Sequence, residues 1–164
     1  MSAKWDLNSQ EITLQDIDLE VEKGKLYLVI GMVGAGKSSF LQTILGEVNL
    51  LKGNIKVKGG ISYAGQESWV FGSSVRQNIL FGEHFDRKRY QKVVKACALL
   101  KDFKQFTKGD QTIVGDRGSS LSGGQKARIS LARAVYRQAD IYLLDDPLSA
   151  VSKQNFEIEI LLHT

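Results

Sequence analysis

A glycine-rich loop between an apolar run and an amphipathic segment constrains the fold of this chain more than any other feature. Residues 31–38 read G-M-V-G-A-G-K-S and match the pattern G-x-x-x-x-G-K-[ST]. The apolar run at residues 26–30 predicts a strand covered on both faces. Apolar residues recur with a helical period over residues 37–48. We therefore predict a strand, a phosphate-binding loop and a helix, in that order.

The residue types of this loop suit a polyphosphate ligand. Glycines allow successive backbone N–H groups to face the phosphates, and the N-terminus of the next helix adds partial positive charge. Lys37 supplies a point cation for the β- and γ-phosphates, and Ser38 a hydroxyl ligand for Mg²⁺. The alternative is a glycine-rich turn with a chance Lys-Ser, which the flanking elements disfavour. The predicted binding residues are Gly31, Met32, Val33, Gly34, Ala35, Gly36, Lys37, Ser38 and Ser39.

Periodicity along the rest of the chain predicts an α/β domain. Alternating apolar residues predict an antiparallel strand or hairpin at residues 12–21, and further short strands are predicted at 54–58 and 61–64. The pattern becomes helical at about residues 86–106. A second loop-to-helix element begins at Ser122, and another buried strand precedes Asp145. We predict one domain over residues 1–164, with residues 86–106 as a helical insertion.

Composition limits the class of protein without identifying a partner. Hydrophobic residues make up 43% and charged residues 24% of the 164 residues, as in one globular domain. A net charge of +4, from 22 basic and 18 acidic residues, is too balanced to indicate nucleic acid. The single cysteine, Cys97, lies in an apolar run that predicts a buried thiol. No run approaches the ~20 apolar residues that span a bilayer, so we expect the isolated chain to be soluble.

The string Leu121-Ser122-Gly123-Gly124-Gln125 resembles the signature motif that separates ABC ATPases from other P-loop proteins. By itself it is also consistent with a serine N-cap at a helix start. Over about residues 5–151 the chain resembles the first cassette of multidrug-resistance-associated (class C) ABC transporters. The resemblance implies a P-loop NTPase fold with an N-terminal antiparallel β portion and a sheet that is incomplete on the C-terminal side.

The resemblance also assigns roles to residues outside the loop. It implies that Ser122, Gly123, Gly124 and Gln125 contact the γ-phosphate of ATP, with Ser122 and two backbone N–H groups as the cradle. It likewise implies that Asp145 holds the Mg²⁺ shell, that Asp146 stands at the general-base position and that Gln66 senses Mg²⁺ and water. By the same resemblance, Trp5 would stack on adenine. The alternatives are an acidic strand end, an exposed loop glutamine and a tryptophan that only packs.

Two further segments indicate partners. Residues 74–82 and 114–118 resemble exporter segments that receive helices of the membrane domains. The resemblance implies a second cassette bound head to tail, with ATP between the loop of one and the signature of the other, and a place on the cytoplasmic face of a membrane. Rival hypotheses are a noncatalytic nucleotide-binding fragment and a soluble ABC ATPase of DNA repair or translation.

The sequence departs from the family in three places. Asp146 stands where an active site usually has glutamate, which withdraws the base by roughly 1.3–1.5 Å, a shift that can cost about 10²-fold in rate. Ser152 replaces the aspartate of the D-loop. Residues 152–164 diverge, and the chain ends before the switch histidine, so we infer a truncated gene model or an alternative exon.

Overall fold

The computed structural model describes residues 1–115 and 118–147, and it divides the chain into two compact units, Met1–Gly59 and Gly60–Thr164. Each unit has its own cluster of buried apolar side chains. The prediction of one domain over the whole chain is not tested by this division and stays a prediction.

The first unit is built on a short antiparallel ribbon and one helix. Strand β1 (Ser2–Lys4) pairs with strand β2 (Asn49–Lys52). Helix α1 (Lys37–Leu45) begins after Gly36 and ends at Gly46, both in the left-handed conformation. Its small core contains Ala3, Leu14 and Val48, against which Met1, Ile17 and Phe40 pack. The predicted helix after the loop is confirmed.

The predicted buried strand at residues 26–30 is wrong. The segment has no strand hydrogen bonds, and its side chains are exposed, with Leu28 at 80% and Ile30 at 82%. A continuous apolar run indicates a strand only where neighbouring strands satisfy its backbone and cover its faces. Residues 26–30 pair with no other strand in the described part of the chain.

Two other strand predictions in this unit also need correction. Residues 12–21 form no strand, and only Leu14 makes an isolated bridge, to Ala3. Residues 54–58 are irregular, and the strand lies earlier, at Asn49–Lys52. The antiparallel β portion is therefore present but smaller than expected, because β1 offers only three residues for pairing.

The second unit packs helices against a parallel strand pair. Strand β3 (Ile61–Ala64) runs parallel to β4 (Ile141–Leu144), with Ile61 opposite Ile141 and Ala64 opposite Leu144. Helices α2 (Val75–Leu80) and α3 (Arg87–Ala96) pack on the long α5 (Gly123–Tyr136). A core cluster includes the fully buried Val75, Ile79, Leu99, Val114 and Ile129. Both predicted strands are confirmed here.

The segment at residues 86–106, predicted as a helical insertion, forms two helices. After α3, Ala98 adopts a positive φ of 57°, which ends the first helix before α4 (Leu99–Gln105) begins. Cys97, between them, is fully buried and unpaired by disulfide, as predicted. Asp102 of α4 forms a bidentate ion pair with Arg128 of α5, at 2.7 and 2.8 Å. This pair fixes α4 against the first half of α5.

Candidate functional site

The glycine-rich loop adopts a conformation that only glycine tolerates well. Gly34 and Gly36 have φ of 83° and 84°, in the left-handed region. A Cβ at Gly36 would also lie 3.2 Å from a methyl group of Leu14. These two glycines therefore set the direction in which the loop enters α1.

The N-terminus of α1 is open to an anion. Its N-cap, Gly36, provides no side-chain acceptor. The N–H groups of the first turn have no intrahelical partner by helix geometry, so they remain available as hydrogen-bond donors. The Nζ atom of Lys37 folds back and donates to the carbonyl oxygens of Gly31 and Met32, each at 2.9 Å. The loop residues Gly31 to Ala35 are exposed, and Lys37, Ser38 and Ser39 are half-buried. Donors and a cation thus converge at the predicted phosphate position.

Trp5 is brought to the same helix. Its indole Nε1 donates to the Ser39 hydroxyl at 3.0 Å, and its carbonyl oxygen accepts from the side chain of Asn49 at 2.8 Å. The residue stays 50% exposed. The first unit therefore collects Trp5 and all the predicted loop residues around the start of α1, and half of the Trp5 surface remains exposed.

The signature residues form the first turn of α5. Ser122 is the N-cap: its Oγ accepts from the Gln125 N–H at 3.2 Å, and Gln125 Oε1 accepts from the Ser122 N–H at 3.0 Å. This reciprocal pair is a capping box. Gly123 is exposed with open space at its Cβ position. The N-cap alternative is therefore correct as local structure, and it leaves the Ser122 hydroxyl hydrogen and the Gly123 N–H available to an anion.

The carboxyl ends of β3 and β4 bring the other three predicted residues together. Gln66 follows β3, and Asp145 and Asp146 follow β4, whose end is held by the Asp145 N–H donating to Ala64 O at 2.8 Å. All three line one small cleft together with residues of α5. Asp146 has a positive φ of 51° and is exposed. Parallel strand ends of this kind are the common ligand position in α/β proteins.

The donor atoms in each unit suit Mg²⁺ and a triphosphate. Mg²⁺ prefers oxygen ligands, and the cleft offers the carboxylate of Asp145 and the amide oxygen of Gln66. The first unit offers the hydroxyl of Ser38 beside Lys37. No group of three or more His, Cys, Asp or Glu side chains is placed to hold a metal by itself within residues 1–115 and 118–147. An ion bound by either set of ligands would therefore depend on phosphate oxygens as well.

One cluster was not predicted from sequence. Arg133 of α5 lies beneath the rings of Trp69 and Phe81 and is hydrogen bonded to the buried Asn78. Its residues are far apart in sequence, and only contacts between elements reveal it.

Two predicted segments lie wholly or partly outside the described part of the chain. They are the D-loop residues 149–152, including Ser152, and two residues of the segment 114–118.

Comparison with known proteins gives the family. Residues 14–149 match the family model described as ABC transporter. The chain is 59% identical, over 92% of its length, to a probable multidrug resistance-associated protein, lethal(2)03659, of Drosophila melanogaster. It is 53% identical over 99% of its length to the human ATP-binding cassette sub-family C member 4. It is 54% identical over 92% of its length to the multidrug resistance protein mrp-7 of Caenorhabditis elegans.

The chain covers only a small part of these relatives: 11%, 13% and 10% of their lengths, respectively. Over the described residues, no helix has the length and apolar character needed to cross a membrane. The family match nevertheless covers the loop from Gly31, the signature motif and the end of β4. This chain belongs to the ABC transporter family, in the part that carries its ATP-binding cassette.

Proposed function

We propose that this chain binds Mg-ATP as one cassette of a multidrug-resistance-associated (class C) exporter. The observation that carries the proposal is the open N-terminus of α1, where Lys37 folds over a loop whose two glycines have positive φ. Backbone N–H groups and a cation at such a helix start bind phosphates. Trp5, hydrogen bonded to Ser39, supplies an aromatic face for adenine.

Each predicted residue has a defined task in this proposal. Residues Gly31 to Ser39 bind the phosphates, and Ser38, Gln66 and Asp145 hold Mg²⁺, which would neutralise the phosphate charge. Asp146 and Gln66 orient the attacking water. Ser122, Gly123, Gly124 and Gln125 face the γ-phosphate of the ATP held by a second cassette, because the partial positive charge at the start of α5 favours an anion.

The proposed assembly is a head-to-tail pair of cassettes on the cytoplasmic face of a membrane, attached to transmembrane domains. The surface around α2, next to Trp69 and Phe81, is the proposed contact with those domains, since both side chains are large, apolar and more than half exposed. Neither nucleic acid nor a soluble ABC ATPase role is part of this proposal.

A second candidate is a noncatalytic ATP-binding chain. Asp146 favours it, because its carboxylate is one methylene shorter than that of the usual glutamate and stands farther from a water at the phosphate. Binding and turnover are therefore separate questions, and only binding is common to both candidates.

Titration with a fluorescent ATP analogue in Mg²⁺ tests the proposal. Lys37→Ala removes a charged donor, and hydrogen bonds to charged groups contribute about 1.5–3 kcal/mol, so affinity is expected to fall roughly 10- to 150-fold. Lys25→Ala, on an exposed lysine of the same unit outside the loop, is the matched control and is expected to bind as the original chain does. Equal affinity of all three chains would refute the proposal, and loss of binding in EDTA would support the Mg²⁺ site.

A further inference from the structure

Three aromatic side chains of the second unit form one surface cluster. Trp69, Phe71 and Phe81, here called the aromatic surface, have ring centroids separated by 5.4 to 6.4 Å. Trp69 and Phe81 meet edge to face, at 77°. Both are more than half exposed. Exposed rings on a loop and at a helix end would be free to rotate apart unless something beneath them fixed their positions.

Arg133 is the group beneath these rings. Its guanidinium carbon lies 3.9 Å from the Trp69 ring centroid and 5.2 Å from that of Phe81, within the range of cation–π attraction. The residue is only 9% exposed. Its burial lowers the pKa of the guanidinium to about 10, so it remains charged at neutral pH. One cation thus contacts two of the three rings from below.

The guanidinium of Arg133 donates hydrogen bonds to Asn78 and Trp69. Nε donates to the carbonyl oxygen of Asn78 at 2.8 Å, and one terminal nitrogen donates to Asn78 Oδ1 at 3.0 Å. The other terminal nitrogen donates to the carbonyl oxygen of Trp69 at 3.2 Å. Among the residues that the structure describes, no carboxylate pairs with Arg133. A planar fork that binds three acceptors fixes their relative positions, which a single ammonium cannot do.

Asn78 extends this network to the third ring. Its Oδ1 accepts from the Phe71 N–H at 3.0 Å, and its Nδ2 donates to the Phe71 carbonyl oxygen at 3.0 Å. Asn78 is fully buried. The same oxygen that binds Arg133 therefore holds the Phe71 backbone. Through two residues, Arg133 and Asn78, the loop after β3 is bound to α2, whose C-cap is Phe81.

We propose that Arg133 is a positioning residue that fixes Trp69, Phe71 and Phe81 in one rigid arrangement. It does so from the last part of α5, the helix whose N-cap is Ser122 of the signature motif. Contact of the aromatic surface with membrane domains belongs to the proposed function. The arrangement of the three rings is a property of this chain alone.

The test uses the full chain with Trp5→Phe, which leaves Trp69 as the only tryptophan. Quenching of Trp69 fluorescence by acrylamide and hydrogen exchange of the Phe71 amide are measured without nucleotide. Arg133→Met and Arg133→Lys are both expected to raise the quenching constant. Both are also expected to speed Phe71 exchange at least about tenfold, because the hydrogen bonds from the charged guanidinium to Asn78 and Trp69 are lost. Arg133→Lys keeps the positive charge but lacks the planar guanidinium. If its signals resemble those of Arg133→Met, the geometry of the guanidinium, and not the charge alone, fixes the rings.

Arg89→Met is the matched control. Arg89 also binds backbone carbonyls, those of Tyr136, Val135 and Arg137, and lies over the Tyr136 ring at 5.7 Å. None of these contacts involves the aromatic surface. Its removal is expected to leave Trp69 and Phe71 unchanged. Unchanged signals in both Arg133 variants, or an equal rise with Arg89→Met, would overturn the proposal. ATP binding does not enter these readouts, so a failure here leaves the proposed function standing.

Discussion

Ser122 carries two tasks that one pair of substitutions separates. Its Oγ caps α5 by accepting from the Gln125 N–H at 3.2 Å, and its hydroxyl is proposed to donate to a phosphate of the second cassette. Ser122→Ala removes both, whereas Ser122→Asp keeps a good cap and places a negative charge at the phosphate. Stability and turnover are therefore expected to respond in different orders.

The magnitudes follow from the geometry. Loss of the cap costs about 1 kcal/mol, while the reciprocal bond from the Ser122 N–H to Gln125 Oε1 remains. In a chain of this size that lowers Tm by about 2–4 °C. Aspartate at a helix start is stabilising by about 0.3–1 kcal/mol, so Ser122→Asp is expected to melt at or slightly above the original temperature. Opposite a γ-phosphate, the same charge costs about 1–4 kcal/mol at 4 Å, depending on the local dielectric.

Thermal unfolding by circular dichroism on this chain, and ATP turnover of the complete transporter, are the two assays. Ser122→Asp is expected to have a Tm equal to or above that of the original chain, and Ser122→Ala the lowest Tm. Turnover is expected to be highest with Ser122, lower in Ser122→Ala and lowest in Ser122→Asp, by at least about tenfold because of charge repulsion. If turnover followed the order of Tm, Ser122 would be only a helix cap, and its proposed contact with phosphate would be refuted.

Two other predictions concern single side chains. Trp5→Ala is expected to weaken ATP binding by about 1–3 kcal/mol if the indole stacks on adenine, whereas Trp5→Phe is expected to retain most of it; equal affinity of the alanine variant would return Trp5 to a packing role. Burial raises the pKa of Cys97 to about 12. Above pH 9 the unfolded chain therefore loses a proton that the folded chain keeps. The free energy of unfolding is expected to fall by about 1.4 kcal/mol per pH unit between pH 9 and 12. Urea unfolding of Cys97→Ala beside the original chain isolates this slope, which the variant is expected to lack; parallel pH profiles would contradict it.

Local signals predicted the helices and the strand ends that form the candidate site. Sequence alone located α1, α5 and β4, because each has a signal in neighbouring residues. These signals are the helical period of apolar residues after Gly36, the serine before Gly123 and the apolar run before Asp145. The run at residues 26–30 was misjudged because burial of a strand depends on partner strands, which a local pattern does not show. The Arg133 network joins residues up to 64 positions apart, and no local period indicates it.

At the end of β4, residue identity predicts the roles of the side chains but not the backbone conformation. Asp145 and Asp146 were assigned different tasks by resemblance, and the structure adds that both line a cleft with Gln66. That Asp146 has a positive φ was not predictable, since aspartate tolerates the left-handed region without requiring it. The two units are each defined by their own contacts.

Phosphate release at saturating Mg-ATP, measured over a series of protein concentrations, tests the central claim most directly. The claim is that this chain binds ATP but supplies an incomplete catalytic unit, because Asp146 is short and the signature acts on a second cassette's nucleotide. We predict binding that Lys37→Ala weakens, turnover barely above background at every concentration, and little recovery with Asp146→Glu, since the effects of residues in one catalytic unit are not additive. Robust turnover that Lys37→Ala abolishes would contradict the account and show the chain to be a working ATPase by itself.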